Sequence, residues 1–315
     1  MRRLGFISPN FAGVILLGAG VVFLSTRAEG GTPGIWRTER TLAKDDRVAK
    51  DRLHSKNNPD HEDYSFLNAV GAVWPYGINK SAAGYDAATG HDAATGFLID
   101  PCHVLTNMHA VYTDEVVMDP SIGRSVAFAV GQTEGDKDKG ALQGLRFLLQ
   151  GVVIAHGDTI IVDHRARNPA DDWAVIQLAA TVDSVAAMTI GAVDVAQLST
   201  HTRLSAAGYP TDHRQLRGDG FKLKDLWGSD GEVVGVVSVS TTRAFIQTTI
   251  QTTPGNSGGP IYGDFNGQKH IVIGMVQSIR GNGIDVSESM PNVQILFTSS
   301  TIAKIAAAEA QTPCR

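Results

Sequence analysis

Gly255-Asn256-Ser257-Gly258-Gly259-Pro260 runs straight into the apolar stretch Pro260–Tyr262, and this junction decides how the rest of the chain is read. A serine hydroxyl is a poor nucleophile, so it must be held rigidly beside a base and beside donors for a developing oxyanion. Glycines on both sides of Ser257 let the backbone turn tightly and aim the amides of Gly255 and Ser257 at one spot. A glycine-rich turn before a strand would explain a bare Gly-x-Ser-Gly-Gly. The match here is longer, and a strand follows it at once.

A base is offered upstream. Leu105-Thr106-Asn107-Met108-His109-Ala110 sets His109 just beyond a strand that pairs with Gly96–Ile99 across an Asp100-Pro101 turn. The chain has ten histidines, and His109 is distinguished by its setting, a small-residue corner after a buried strand. The carboxylate that fixes the imidazole tautomer comes from Asp171-Asp172-Trp173, at the mouth of the run Ala174–Leu178. Asp171 reads as an acidic loop end. Asp172 abuts the apolar strand and is the candidate for burial beside His109.

Around these motifs the chain is a succession of short apolar runs broken by Gly, Asp, Asn and Pro. Strands are expected at Ala69–Trp74, Gly96–Ile99, His103–Thr106, Val126–Val130, Phe147–Ala155, Thr159–Val162 and Ala174–Leu178. The second half adds Leu204–Gly208, Val233–Val239, Ala244–Thr249, Pro260–Tyr262, His270–Val276 and Gln294–Thr298. That pattern predicts an all-β core, a sandwich or barrels. Helical spacing returns only near the end, at Ile302, Ile305 and Ala306, with Ser299 or Ser300 as the cap. Tyr85–Gly90 and His91–Gly96 repeat one hexapeptide and read as a duplicated loop between the first two strands.

Composition narrows the function. A formal charge of −5 with interspersed signs leaves no polybasic surface for nucleic acid. The two cysteines, Cys102 and Cys314, form no CxxC pair, so they are either one disulfide or two unrelated thiols. Arg2 and Arg3 precede an apolar stretch ending at Leu24, and Thr26-Arg27-Ala28 carries small residues where a signal peptidase reads. Residues 1–28 are therefore expected to be a secretory signal. The alternative is an uncleaved anchor over Leu4–Leu24, just long enough to span a bilayer. Residues 29–64 are polar and charged and read as a linker or a loosely docked arm.

The order His109, Asp172, Ser257, with Asp172-x-Ala174-Val175-Ile176 and the Ser257 loop, resembles the chymotrypsin-like serine peptidases. It is most similar to their bacterial glutamyl-endopeptidase and high-temperature-requirement branches. The resemblance covers roughly residues 65–310 and includes Gly208-Tyr209-Pro210. It implies two six-stranded antiparallel Greek-key barrels, about 65–185 and 186–300, followed by a helix at about 301–310. It also implies a Ser-His-Asp endopeptidase acting through an acyl-enzyme on polypeptide substrates, without metal or organic cofactor. A Cys102–Cys314 disulfide follows from the same resemblance, because the family's terminal helix packs near the turn that carries Cys102.

Departures from the family are informative. Asn256 stands where zymogen-type members carry an aspartate, and no Ile-Val-Gly-Gly is available to pair with one. Its amide is expected to be satisfied by local hydrogen bonds. Residues 112–144 are expected to contain an insertion, and Gly135–Gly140 reads as a solvated turn rather than a calcium loop. By alignment with the serine motif, Gln251 and Thr252 lie beneath the acyl site and Val276, Gln277 and Ser278 form a wall. No acidic residue is at the base, and Val276 replaces the histidine of glutamyl endopeptidases, so a small or uncharged residue is expected at the cleaved bond. Two other readings keep the fold: an inactive protease-like binding module, and a membrane-tethered version of the same protein.

Overall fold

The computed structural model describes residues 48–49, 64–75, 79–81, 84–86, 94–112, 125–130, 147–159, 161–162, 165–166, 168–210, 226–240, 242–278 and 291–314. The expected signal over 1–28, nearly all of the arm, and most of 112–144 lie outside these residues. Residues 43–315 form one compact unit.

In chain order the strands are β1 (Val48–Ala49), β2 (Val70–Pro75), β3 (Asn79–Ser81), β4 (Gly84–Asp86), β5 (Ala94–Leu98) and β6 (His103–Thr106). Then come β7 (Ser125–Val130), β8 (Phe147–His156), β9 (Ile161–Val162), β10 (Arg165–Ala166) and β11 (Ala174–Leu178). The second half supplies β12 (Arg203–Gly208), β13 (Trp227–Ser240), β14 (Arg243–Thr248), β15 (Pro260–Phe265), β16 (Gln268–Ser278) and β17 (Asn292–Leu296). A short helix α1 (Met108–Val111) follows β6, and α2 (Ser299–Gln311) ends the fold.

Barrel one closes in the order β2-β5-β6-β11-β8-β7. Barrel two closes as β12-β13-β14-β17-β16-β15, its ring completed by the β13–β14 pairing. Numbered along the chain, each ring runs 1-2-3-6-5-4, so the two halves share one topology. Closure leaves no ring edge unpaired, which is how an antiparallel β fold avoids presenting a template for aggregation.

The apolar periodicity sorts the side chains as these rings require. Along β16, Ile271 and Ile273 enter the core of barrel two, while Val272 and Met275 join the larger cluster that extends from barrel one. Along β14, Ala244, Ile246 and Thr248 are buried and their neighbours are half-buried. That is the period-two pattern of a strand with one face inward.

Several sequence expectations change. The second copy of the hexapeptide repeat is not all loop, since Ala94-Thr95-Gly96 begins β5. Within the arm, Val48 and Ala49 pair with Gly228 and Trp227 of β13, as the docked reading of that segment allows. Helix α2 starts at Ser299 and is capped by Thr298, whose hydroxyl accepts from the Thr301 amide. The cap thus falls just before the two expected serines, where a threonine hydroxyl caps as a serine does. Its inward face is Thr301, Ile305 and Ala308, while Ala306 is exposed.

The expected disulfide is present, with the Cys102 and Cys314 Cα atoms 5.6 Å apart across 212 residues. It ties the end of α2 to the turn before β6.

Candidate active site

Strand β6 delivers its last residues to the junction between the barrels. Asn107 holds the N-cap position of α1 without a side-chain cap bond, and its side-chain amide instead donates to the Asp172 carbonyl at 2.7 Å. That bond fixes the His109 turn against the segment entering β11. The sequence reading had not singled out Asn107; its place before the helical turn was the available signal.

Asp172 is fully buried and His109 is 16% exposed at the side chain. One Asp172 oxygen accepts from the His109 backbone amide at 2.9 Å. The other lies 2.5 Å from His109 Nδ1. Two contacts to one residue fix both the ring's tautomer and its direction. Burial draws the imidazole pKa down, but the Asp172 charge and its hydrogen bond outweigh burial and hold it above the usual histidine value of 6.5.

The Ser257 loop reaches this pair by clasping barrel one. Thr95 donates its hydroxyl to the Gly255 carbonyl at 2.7 Å and its amide to the Ser257 carbonyl at 2.8 Å. Gly255 and Gly258 have φ of 96° and 83°, the left-handed region that glycine adopts without strain. Gly258 also has no room for a side chain, since a Cβ there would stand 2.2 Å from the Thr95 carbonyl oxygen. Its amide donates to the Val276 carbonyl at 2.9 Å. Among the described residues the amides of Gly255 and Ser257 donate to no protein acceptor. The Ser257 hydroxyl makes no hydrogen bond to His109 in this structure, and such contacts commonly tighten only when substrate binds.

The expected pocket residues divide. Thr252 is fully buried and accepts from the Asn292 side chain at 3.1 Å. Asn292 also donates to the Ile250 carbonyl at 2.9 Å, a buried polar contact that the sequence reading did not foresee. Gln251 is buried, with its amide on the Ser229 hydroxyl at 3.0 Å. Val276 packs in the core of barrel two. Gln277 turns its side chain toward Asp172, donating to the carboxylate at 3.3 Å. Ser278 ends β16 opposite Val293.

Two further expectations are corrected. Asp171 is not a solvated loop end: it is 3% exposed, ion-paired with Arg243 Nε and bonded by the Asn168 amide at 2.8 Å. An adjacent Asp-Asp pair cannot reveal a cation 72 residues away in sequence. Asn256 does not satisfy the oxygen of its side-chain amide, for its buried Oδ1 has no hydrogen-bond partner among the described residues. The Asn256 Cα and Cγ lie so close to Gly208 that a Cβ on that glycine would stand 3.1 and 3.2 Å from them.

The family model described as the trypsin-like peptidase domain matches residues 94–275, more than half of the chain. No curated protein sequence matches it. A solved Glu endopeptidase in complex with MPD is similar in fold, with a TM-score of 0.52 and 21% identity over 85% of this chain and 98% of that one. The Rv3671c protease of M. tuberculosis H37Rv in an inactive form scores 0.43, with 15% identity over 80% of this chain and 91% of that one.

Proposed function

The chain belongs to the trypsin-like peptidase family and is a serine endopeptidase, and we propose that His109, Asp172 and Ser257 are its catalytic triad. The observation that carries this reading is the double contact of buried Asp172 with His109, beside a serine loop anchored on the same barrel.

In the proposed mechanism Ser257 Oγ attacks the scissile carbonyl of a polypeptide while His109 Nε2 takes its proton. Asp172 holds the opposite ring nitrogen and stabilises the imidazolium as it forms. The amides of Gly255 and Ser257 receive the oxyanion, a contribution of about 3 kcal/mol for a single donor. His109 then protonates the leaving amine. Water follows the same path in reverse to release the acyl group from Ser257.

Export belongs to the same proposal, with residues 1–28 as the signal. The Cys102–Cys314 disulfide supports it, because such bonds persist in oxidising compartments.

Covalent labelling by a fluorophosphonate tests the triad. Wild-type protein is expected to label at Ser257 and to cleave a denatured protein substrate. Ser257→Ala is expected to do neither while keeping its thermal transition. Near-normal turnover by purified Ser257→Ala would end the assignment.

A further inference from the structure

Among the described residues, one group of metal-binding side chains lies away from His109. Asp100, Cys102, His103 and Cys314 each offer a ligand atom, and these atoms all lie within 4.8 Å of one another. In the oxidised chain the two sulfurs are bonded to each other. We propose that a thiol reductant converts this disulfide into a tetrahedral zinc site built from the two thiolates, His103 Nδ1 and the Asp100 carboxylate.

The spacing suits zinc. Bonds of about 2.0 Å to nitrogen or oxygen and 2.3 Å to sulfur place tetrahedral ligands roughly 3.3–3.8 Å apart. His103 Nδ1 is 3.6 Å from Cys102 Sγ, and Cys314 Sγ is 3.4 Å from Asp100 Oδ1. Asp100 Oδ1 is then the ligand oxygen, and the 2.5 Å contact of Oδ2 with His103 Nδ1 gives way when the ion takes that nitrogen's lone pair.

The surroundings already orient the ligands. The Thr312 hydroxyl gives its only proton to the Ala308 carbonyl at 3.0 Å. It can therefore only accept from His103 Nε2, also at 3.0 Å, which fixes Nδ1 as the metal-facing nitrogen. Outer hydrogen bonds of this kind hold a metal-ligating histidine in its tautomer. Asp100 Oδ1 is anchored by the amides of Cys102 and His103 at 2.8 and 2.7 Å.

Three ligands thus sit on one rigid turn. The fourth, Cys314, lies beyond the end of α2 at Gln311. As a zinc ligand its sulfur stands about 3.8 Å from Cys102 Sγ, a position that requires no barrel strand to move.

The chemistry balances. A dithiol supplies two electrons and two protons, the Cys102–Cys314 bond breaks to give two thiols, and the dithiol closes to its own disulfide. Zn²⁺ then displaces the two thiol protons. Either clip ties α2 to the turn before β6, so the terminal helix stays fastened in both redox states.

The test titrates full-length protein, reduced with a dithiol and desalted without oxygen, with Co²⁺ alone and then with Zn²⁺. A sulfur-to-cobalt charge-transfer band with tetrahedral d–d bands is expected, saturating at one equivalent and bleached by one equivalent of Zn²⁺. Oxidised protein should give neither band. His103→Ala should weaken binding at least tenfold, and Asp100→Asn provides a second ligand variant if that one fails to fold. Absence of the band in reduced wild-type protein would overturn the proposal. Affinity unchanged in both variants, which would mean binding through sulfur alone, would overturn it equally.

Discussion

Thr95 in barrel one donates its hydroxyl to the carbonyl of Gly255 in barrel two at 2.7 Å. The same hydroxyl accepts from the Tyr209 amide at 3.0 Å, and the site is fully buried. Thr95→Val keeps the shape and removes both contacts, taking a hydrogen-bond partner from a buried carbonyl and from a buried amide. A loss of about 2–4 kcal/mol is expected from two groups at about 1–2 kcal/mol each. Because the loop carries Ser257, kcat should fall at least tenfold with a smaller change in KM. Urea unfolding and steady-state kinetics on one preparation check both. A destabilised variant with wild-type kcat would show that the clasp serves folding alone.

Gly258 allows a sharper test of the same loop. At φ of 83°, an added Cβ would stand 2.2 Å from the Thr95 carbonyl oxygen and 2.3 Å from Thr106 Oγ1. Both the backbone strain and the clash oppose alanine, at a combined cost above about 2 kcal/mol. Gly258→Ala is expected to lose fluorophosphonate labelling while Gly267→Ala does not. Gly267 also has positive φ, 77°, but nothing lies near its Cβ position. Equal effects in the two variants would assign the loss to backbone strain and not to the clash.

Much of this architecture was legible in the sequence, for reasons that can be stated. Strands such as His103–Thr106 and Ala174–Leu178 are readable from their apolar residues, and nearly every position of both is buried. The residues His109, Asp172 and Ser257 stand at ends of such runs, where a motif is readable locally. What escaped was contact between distant segments. Thr95 looked like part of a repeat, and its meaning lies 160 residues away at Gly255. Gln277, which the alignment sets on a pocket wall, also gives its side-chain amide to Asp172, a contact the alignment does not show. A period of two fixes which face a side chain takes, not which neighbour it finds there.

Arg243 is the cation that burial of Asp171 requires. Its Nε meets Asp171, and its terminal nitrogen lies 3.5 Å from Asp158. Asp171 is 4% exposed at the side chain and Arg243 35%, so solvent screens one partner. Arg243→Met keeps the aliphatic stem but leaves a buried carboxylate with Asn168 as its remaining side-chain donor among the described residues. Breaking a fully buried pair costs about 3–5 kcal/mol, and the exposed arginine reduces the expectation to about 1–2 kcal/mol. A midpoint in urea equal to wild type at pH 7 would remove the pair from any account of stability.

The His109–Asp172 pair sets opposite pH trends for stability and for catalysis. The folded pKa of His109 lies above 6.5, raised by the Asp172 charge and hydrogen bond against the pull of burial. Its charged form is therefore favoured by folding. That contribution to stability is fully present below pH 6.5, the unfolded value, and is lost as pH rises through the folded pKa. Catalysis needs the neutral imidazole as base, so kcat/KM should rise over the same window and level off above it. Asp172→Asn removes the charge that raises the pKa and leaves burial unopposed. The inflection should move to lower pH, and the plateau should fall by about 10⁴, since the asparagine can also hold the wrong tautomer. The profile of kcat/KM from pH 5 to 9 for both proteins, with the His109 ring followed by NMR, provides the measurement. An inflection that stayed in place in Asp172→Asn would mean that a group other than His109 supplies the base.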